Sequence, residues 1–295
     1  MKQLRFIPLA ALGLMAAACS NDESAPAQPE AKYITIEASI GAMTRATTTG
    51  DAAAFDEGDR VTLYAWTGSA TAVPAQRVVD GVVNTLGTDG KWTPATQMLW
   101  SDMVTPHYFL GIYPARTVTD FTADPYTLNP ADYEASDLLV ARQLSGLTAT
   151  QNPVSLTFDH AMAMLYVNMN FRNQWDQTPA ITACEATAAS TATIDYLAQT
   201  VTAGELAAVS LPATTASTGY AATYGSIMVP QTGFRTVAIT IDGQQFTYTH
   251  TEDIPLEAGK YTTLNLIVGR NKIEIGSVSI NDWTEGTTIS GGQAM

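Results

Sequence analysis

Several things are scarce in this chain, and each scarcity removes a class of answers. Cysteine occurs twice in 295 residues, at Cys19 and Cys184. With Cys19 assigned below to a lipid, Cys184 has no partner, so a disulfide framework is excluded and Cys184 reads as a small apolar core residue. Basic residues are few: 14 Lys and Arg stand against 28 Asp and Glu, for a net charge of −14. That excludes the basic footprint of a nucleic-acid-binding protein, and acidity of this size bears on solubility. Histidine appears three times, at His107, His160 and His250, never in an H-x-x-x-H spacing. Asp159-His160 does not read as a catalytic pair, because neighbours on a strand point to opposite faces. No G-x-S-x-G elbow, phosphate-binding loop or dinucleotide fingerprint occurs, so no enzyme, cofactor or metal is expected. Long apolar runs are missing too. Phe6–Ala18 is a 13-residue apolar run, shorter than the roughly 20 residues that span a bilayer.

That run follows Lys2 and Arg5 and precedes Ala16-Ala17-Ala18-Cys19. It has the build of a secretory signal peptide over 1–18, and its end resembles a lipobox. The resemblance implies cleavage before Cys19 and lipidation, palmitate included, of that cysteine. The acidic Ser20-Asn21-Asp22-Glu23 resembles the surface-export signal of Bacteroidetes lipoproteins, which implies a surface-exposed place on the outer membrane. A Pro- and Ala-containing tether follows.

The remainder is rich in Thr, Val, Ile and Tyr. In Tyr33–Ile40, Ile34, Ile36, Ala38 and Ile40 share one face of a strand. Further strands are expected at Arg60–Trp66, Met98–Trp100, Tyr108–Tyr113, Leu138–Ala141, Val154–Phe158 and Ala163–Met169. Later ones are Tyr224–Val229, Thr236–Ile241, Gln245–Thr249, Tyr261–Val268 and Lys272–Ile280. Ile241-Asp242-Gly243-Gln244 predicts a tight hairpin. Ala131–Ala141 has room for a helical turn, and Ala180–Ala192 is ambiguous between strand and helix. Asp56-Glu57-Gly58-Asp59 reads as a solvated turn rather than a calcium loop. Of the tryptophans, Trp66, Trp92, Trp100 and Trp283 read as core or junction residues. Trp175, in a polar stretch, reads as the most exposed.

Many short strands with frequent turns indicate β-sandwiches, and this length accommodates two. The polar stretch Ser145–Pro153 divides them. The expected organisation is a signal over 1–18, a tether and removable first strand over 19–45, one sandwich over 46–150 and a second over 151–295.

Seven segments, taken in order, resemble the fimbrillin family, the type V pilin-like surface lipoproteins of Bacteroidetes. The first three are Met43-Thr44-Arg45-Ala46-Thr47, Phe55-Asp56-Glu57-Gly58-Asp59-Arg60-Val61 and Phe109-Leu110-Gly111-Ile112-Tyr113-Pro114. Then come Leu156-Thr157-Phe158-Asp159-His160-Ala161-Met162-Ala163, Val229-Pro230-Gln231-Thr232, Leu256-Glu257-Ala258-Gly259-Lys260-Tyr261 and Ile280-Asn281-Asp282-Trp283. The resemblance implies an all-β chain of two transthyretin-like β-sandwich domains in tandem. It implies a subunit of a fimbria serving adhesion, cut by an arginine-specific protease between Arg45 and Ala46. The partners it implies are other pilus subunits, joined by β-strand exchange, and the outer membrane through lipid before processing. A strand near 272–295, with Ile273, Ile275, Val278 and Ile280, is either the donor for that exchange or the last strand of its own domain. A monomeric surface lipoprotein or tip adhesin that binds a glycan or a host protein is the alternative function.

Overall fold

Apolar residues alternating with Thr, Ser and charged residues, punctuated by turn residues, build sheets that bury one face or both. The computed structural model describes residues 33–41, 54–175, 177–270 and 272–282. They belong to one compact unit. In it β1 is Ile36–Ile40, β2 Arg60–Thr67, β3 Val79–Leu86, β4 Trp92–Pro94 and β5 His107–Tyr113. After these come β6 Asp124–Thr127, the single helical turn α1 Tyr133–Ser136, β7 Leu139–Leu147, β8 Val154–His160, β9 Ala163–Phe171 and β10 Ile181–Ala189. The rest are β11 Thr191–Asp195, β12 Thr200–Ala203, β13 Leu206–Ser210, β14 Ala213–Thr214, β15 Ala222–Met228, β16 Thr236–Ile241, β17 Gln244–Thr249, β18 Lys260–Val268 and β19 Ile273–Asp282. The chain is all-β, as expected.

Four sheets result. A seven-stranded sheet runs β1-β8-β7-β5-β2-β3-β4, and its concave side closes over Ile34, Ile36, Leu63, Phe109, Leu156 and Phe158. A five-stranded sheet, β14-β15-β9-β18-β19, faces a four-stranded one, β13-β10-β16-β17. Between them lie Leu165, Val167, Cys184, Val237, Ile239 and Leu264. The small sheet β12-β11-β6 pairs strands from distant parts of the chain. A third core joins it to the outer face of the seven-stranded sheet: Tyr64, Trp66, Leu110 and Ile112 meet Met162, Ile194, Tyr196 and Ile227. This explains β2, which is buried on both faces from Val61 to Trp66. Buried polar contacts pin the seam. The Tyr196 hydroxyl donates to Asp124 Oδ2 at 2.7 Å, the Arg116 guanidinium sits 3.0 Å from the same oxygen, and the Val118 amide donates to the Tyr64 hydroxyl at 2.7 Å.

The hairpin at Asp242-Gly243 forms as expected. Both residues have positive φ, 50° and 77°, which is the demand of a primed turn. The helical turn within 131–141 is α1, and the ambiguous 180–192 stretch is strand β10. One expectation is corrected. Met98–Trp100 is not a strand but one isolated bridge, Leu99 to Tyr33. Trp175 is the most exposed of the described tryptophans, as expected: Trp66, Trp92 and Trp100 are buried, while Trp175 is half-buried against Phe171 and Phe246, its indole N–H donating to the Val268 carbonyl at 3.2 Å. The polar Ser145–Pro153 stretch covers the end of β7 and the connection to β8.

Candidate functional site

The residues expected to carry function fall into three groups. Cys19, Arg45, Ala46 and Trp283 lie outside the described residues. Ile34, Ile36, Ala38 and Ile40 sit in or beside β1. Ile273, Ile275, Val278 and Ile280 sit in β19.

β1 is the edge strand of the seven-stranded sheet and runs parallel to β8. Ile36 lies opposite Val154, Ala38 opposite Leu156 and Ile40 opposite Phe158, so the apolar side chains of both strands face the same core. The expected alternation holds: Ile34 and Ile36 are buried, Ala38 and Ile40 half-buried, and Tyr33, Thr35, Glu37 and Ser39 exposed. Backbone and side-chain bonds fasten the strand at both ends. The Ile34 amide donates to the Met98 carbonyl at 2.9 Å, and the Val154 amide to the Thr35 carbonyl at 2.8 Å. Asn152 clips Thr35 twice, accepting from its amide at 2.9 Å and donating to its hydroxyl at 2.8 Å. At the other end the Gly41 amide donates to the Phe158 carbonyl at 2.8 Å, and a Cβ at Gly41 would collide with the Asp159 carboxylate. Fully burying an Ile contributes about 1.5–3 kcal/mol, so the four inward residues together contribute roughly 5–8 kcal/mol. That compares with about 5–15 kcal/mol for a whole domain, so an emptied groove is a strongly attractive site for another strand.

The segment beside the mouth of β1 is rigid and partly apolar. Leu99, Met103 and Val104 are exposed, Val104 by 78%. Asp102 shapes this loop: its carboxylate accepts from the Thr105 hydroxyl and from the Thr105 and Val104 amides, which hold its pKa down at about 2. Fully buried His107 closes the loop, with Nδ1 donating to the Thr105 carbonyl at 2.8 Å and Nε2 accepting from the Ser101 amide at 3.1 Å. Burial lowers its pKa, favouring this neutral ring.

β19 forms the other edge. It pairs antiparallel with β18, and the register slips where Asn265 faces Ser277 while Leu266 faces Ile275, which leaves Gly276 as the extra residue of a bulge. The apolar residues of β19 change phase at this bulge, from Ile273 and Ile275 to Val278 and Ile280. Ile273, Ile275 and Val278 are half-buried against the second sandwich core, and Ile280 is 37% exposed. A row of side-chain bonds crosses the sheet towards β19, from the Thr223 hydroxyl to Asn168, from the Asn168 amide to Asn265 and from the Asn265 amide to Ser277, at 2.8, 2.9 and 2.7 Å. No β19 side chain is fully buried, unlike Ile34 and Ile36 of the first strand.

The histidine and turn residues have structural partners. Asp159 is exposed and His160 buried, as strand alternation requires, and His160 Nδ1 lies 2.7 Å from Asp137 instead. Sequence reasoning missed that pair, and nothing local signals it. Asp59 serves the turn before β2, its carboxylate accepting from the Asp56 amide at 2.8 Å and from the Tyr113 hydroxyl at 3.1 Å. Among the described residues no group of three or more metal-ligating side chains converges, and no helix is long and apolar enough to cross a membrane.

Comparison with known proteins agrees with this geometry. A family model described as fimbrillin-like matches residues 44–283. No curated relative matches by sequence. Among solved structures, a candidate cell adhesion protein of Bacteroides uniformis superposes with a TM-score of 0.64 at 18% identity, covering 87% of this chain and 100% of that one. A fimbrial protein of Bacteroides vulgatus matches at 0.52 and 13% identity, over 85% and 99% of the two chains. The tip fimbrial protein Mfa3 of Porphyromonas gingivalis, with a C-terminal truncation, matches at 0.50 and 13% identity, again over 85% and 99%. At such identities the likeness is one of fold.

Proposed function

We propose that this chain, which belongs to the fimbrillin-like family, is a structural subunit of a cell-surface pilus that polymerises by exchanging its first strand for one from a neighbour. In this reading the precursor is exported as a lipoprotein anchored at Cys19 in the outer membrane. It is folded with β1 in its own groove and is cut between Arg45 and Ala46 by an arginine-specific protease. The two halves act as tandem transthyretin-like sandwiches.

The observation that carries the reading is the seat of β1. It is an edge strand that, with Ile34 just before it, contributes two buried and two half-buried apolar residues to a core, and among the described residues it pairs along its length with β8 alone. While the chain is continuous, tethering keeps the local concentration of β1 high and a competing strand loses. After a cut at Arg45 the strand can leave, and strand addition to the exposed β8 edge restores both the backbone pairing and the buried face. β19 of another copy is the proposed donor. Its inward residues are only half-buried at home, so it has burial to gain in the β1 groove.

The test is digestion with an arginine-specific protease followed by electrophoresis in mild detergent. Wild type is expected to give a ladder of polymers and Arg45→Ala a lipid-linked monomer. A lasting monomer from both, or equal ladders from both, removes the mechanism.

A further inference from the structure

The loops that connect β9 to β10, β16 to β17 and β18 to β19 gather at one end of the second sandwich. The opposite end is the one where β9 begins, next to the end of β8. Between these loops lies a cleft of about 620 Å³, a size typical of small-ligand sites. Its lining is mostly polar. Trp175 and Phe246 supply ring surface, Gln177 and Gln244 primary amides, Asp242 a carboxylate and Arg270 a guanidinium.

We propose that this cleft is a binding site for a neutral oligosaccharide, with Trp175 and Phe246 as the apolar floor and Gln177, Asp242 and Gln244 as the hydrogen-bonding rim. Three features lead there. Among the described lining residues one carboxylate and one guanidinium cancel in charge, which disfavours a strongly anionic or cationic ligand. Primary amides both donate and accept, as do the hydroxyls of a sugar, so they match a polyhydroxyl ligand better than a purely accepting or purely donating one. Trp175, half-buried beside Arg270, and Phe246, 8% exposed, give the cleft an apolar bottom against which the C–H groups of a pyranose can pack.

The site is also built before any ligand arrives. The Trp175 indole is held by the Val268 carbonyl at 3.2 Å and by edge contacts with Phe171 and Phe246, and the Arg270 guanidinium lies 5.3 Å from the centre of its ring. The Arg270 amide donates to Gln174 at 3.0 Å, which ties the β18–β19 turn to the Trp175 turn. Asp242 stands on the primed turn with φ of 50°, where its side chain is presented by a two-residue loop of restricted geometry. Sites of this kind, on loops carried by a rigid scaffold, lower the ordering cost of binding.

The experiment is saturation-transfer NMR and calorimetry on the full chain, with maltoheptaose, cellohexaose, mannopentaose and lacto-N-tetraose as neutral probes and sialyllactose as a charged one. At least one neutral probe is expected to bind. The double variant Gln177→Ala, Gln244→Ala should weaken it by about tenfold or more, with an unchanged circular dichroism spectrum. Both side chains are exposed, so that variant leaves the core intact. Trp175→Phe, which keeps a ring in the packing, should weaken the same probe. Absence of neutral binding, binding left within about threefold by the double variant, or preference for sialyllactose overturns the proposal. The polymer ladder of the double variant is measured alongside, so loss of sugar binding and failure of assembly are read separately.

Discussion

Weakening the cis strand without touching its backbone bonds tests whether its buried side chains hold it in place. Ile36 is 5% exposed and faces Val154 across the parallel pair. Truncating a buried Ile to Ala costs about 2–5 kcal/mol. Ile36 sits on an edge strand where the neighbours can relax, so about 2–3 kcal/mol is the expected share. Each 1.4 kcal/mol is a factor of about ten, so in Ile36→Ala the cut strand should leave its groove roughly 30- to 140-fold more readily than in wild type. Native mass spectrometry after digestion with an arginine-specific protease reads this directly, as the rate at which the segment ending at Arg45 separates from the body. Glu37→Ala is the control, because Glu37 is exposed on the same strand and its truncation should change the rate by less than about twofold. Equal release from Ile36→Ala and Glu37→Ala would show that the inward face does not hold the strand, and the reasoning from burial would fall.

Other outcomes follow from particular residues. His107 is buried and neutral, with a pKa below its ordinary value of 6.5. The unfolded chain therefore takes up this proton first as pH falls, and the contribution of His107 to stability, fully present above pH 6.5, is lost progressively below it. Urea midpoints between pH 7.5 and 5.5 should fall less steeply in His107→Gln than in wild type. Burial raises the Cys184 thiol to about 12, so iodoacetamide at neutral pH should label it only when the chain is unfolded in urea. Labelling with a fatty-acid analogue should mark wild type and not Cys19→Ala, and equal labelling would remove the lipoprotein anchor.

Local pattern made part of this architecture legible. Tyr33–Ile40 alternates cleanly because one face meets a core and the other meets water, so periodicity and burial coincide. β2 shows where the rule stops. Thr62 and Tyr64 point the opposite way from Val61, Leu63 and Ala65, yet both are buried, because a second core covers that side. β3 escaped notice since its apolar residues are interrupted by Asp80 and Gly81, beside a register slip against β2. β11 to β13 are short and rich in Ala and Thr, a composition without a clear period. Trp175 was legible as the most exposed of the described tryptophans, but the groups that half-cover it, Phe246, Val268 and Arg270, come from distant parts of the chain. The Asp137–His160 pair and the row from Thr223 to Ser277 are likewise non-local, so no window of sequence contains them. The apolar face of Tyr33–Ile40 was visible as a pattern. Its parallel pairing with β8 and the Asn152 clip required coordinates.

The central claim is that the first strand does not travel with the assembled subunit. Purified polymers, dissociated in strong denaturant and analysed by mass spectrometry, report this most directly. The account predicts subunits that begin at Ala46, with no peptide from the Tyr33–Ile40 segment. Polymers whose subunits still carry Tyr33–Ile40 would contradict it.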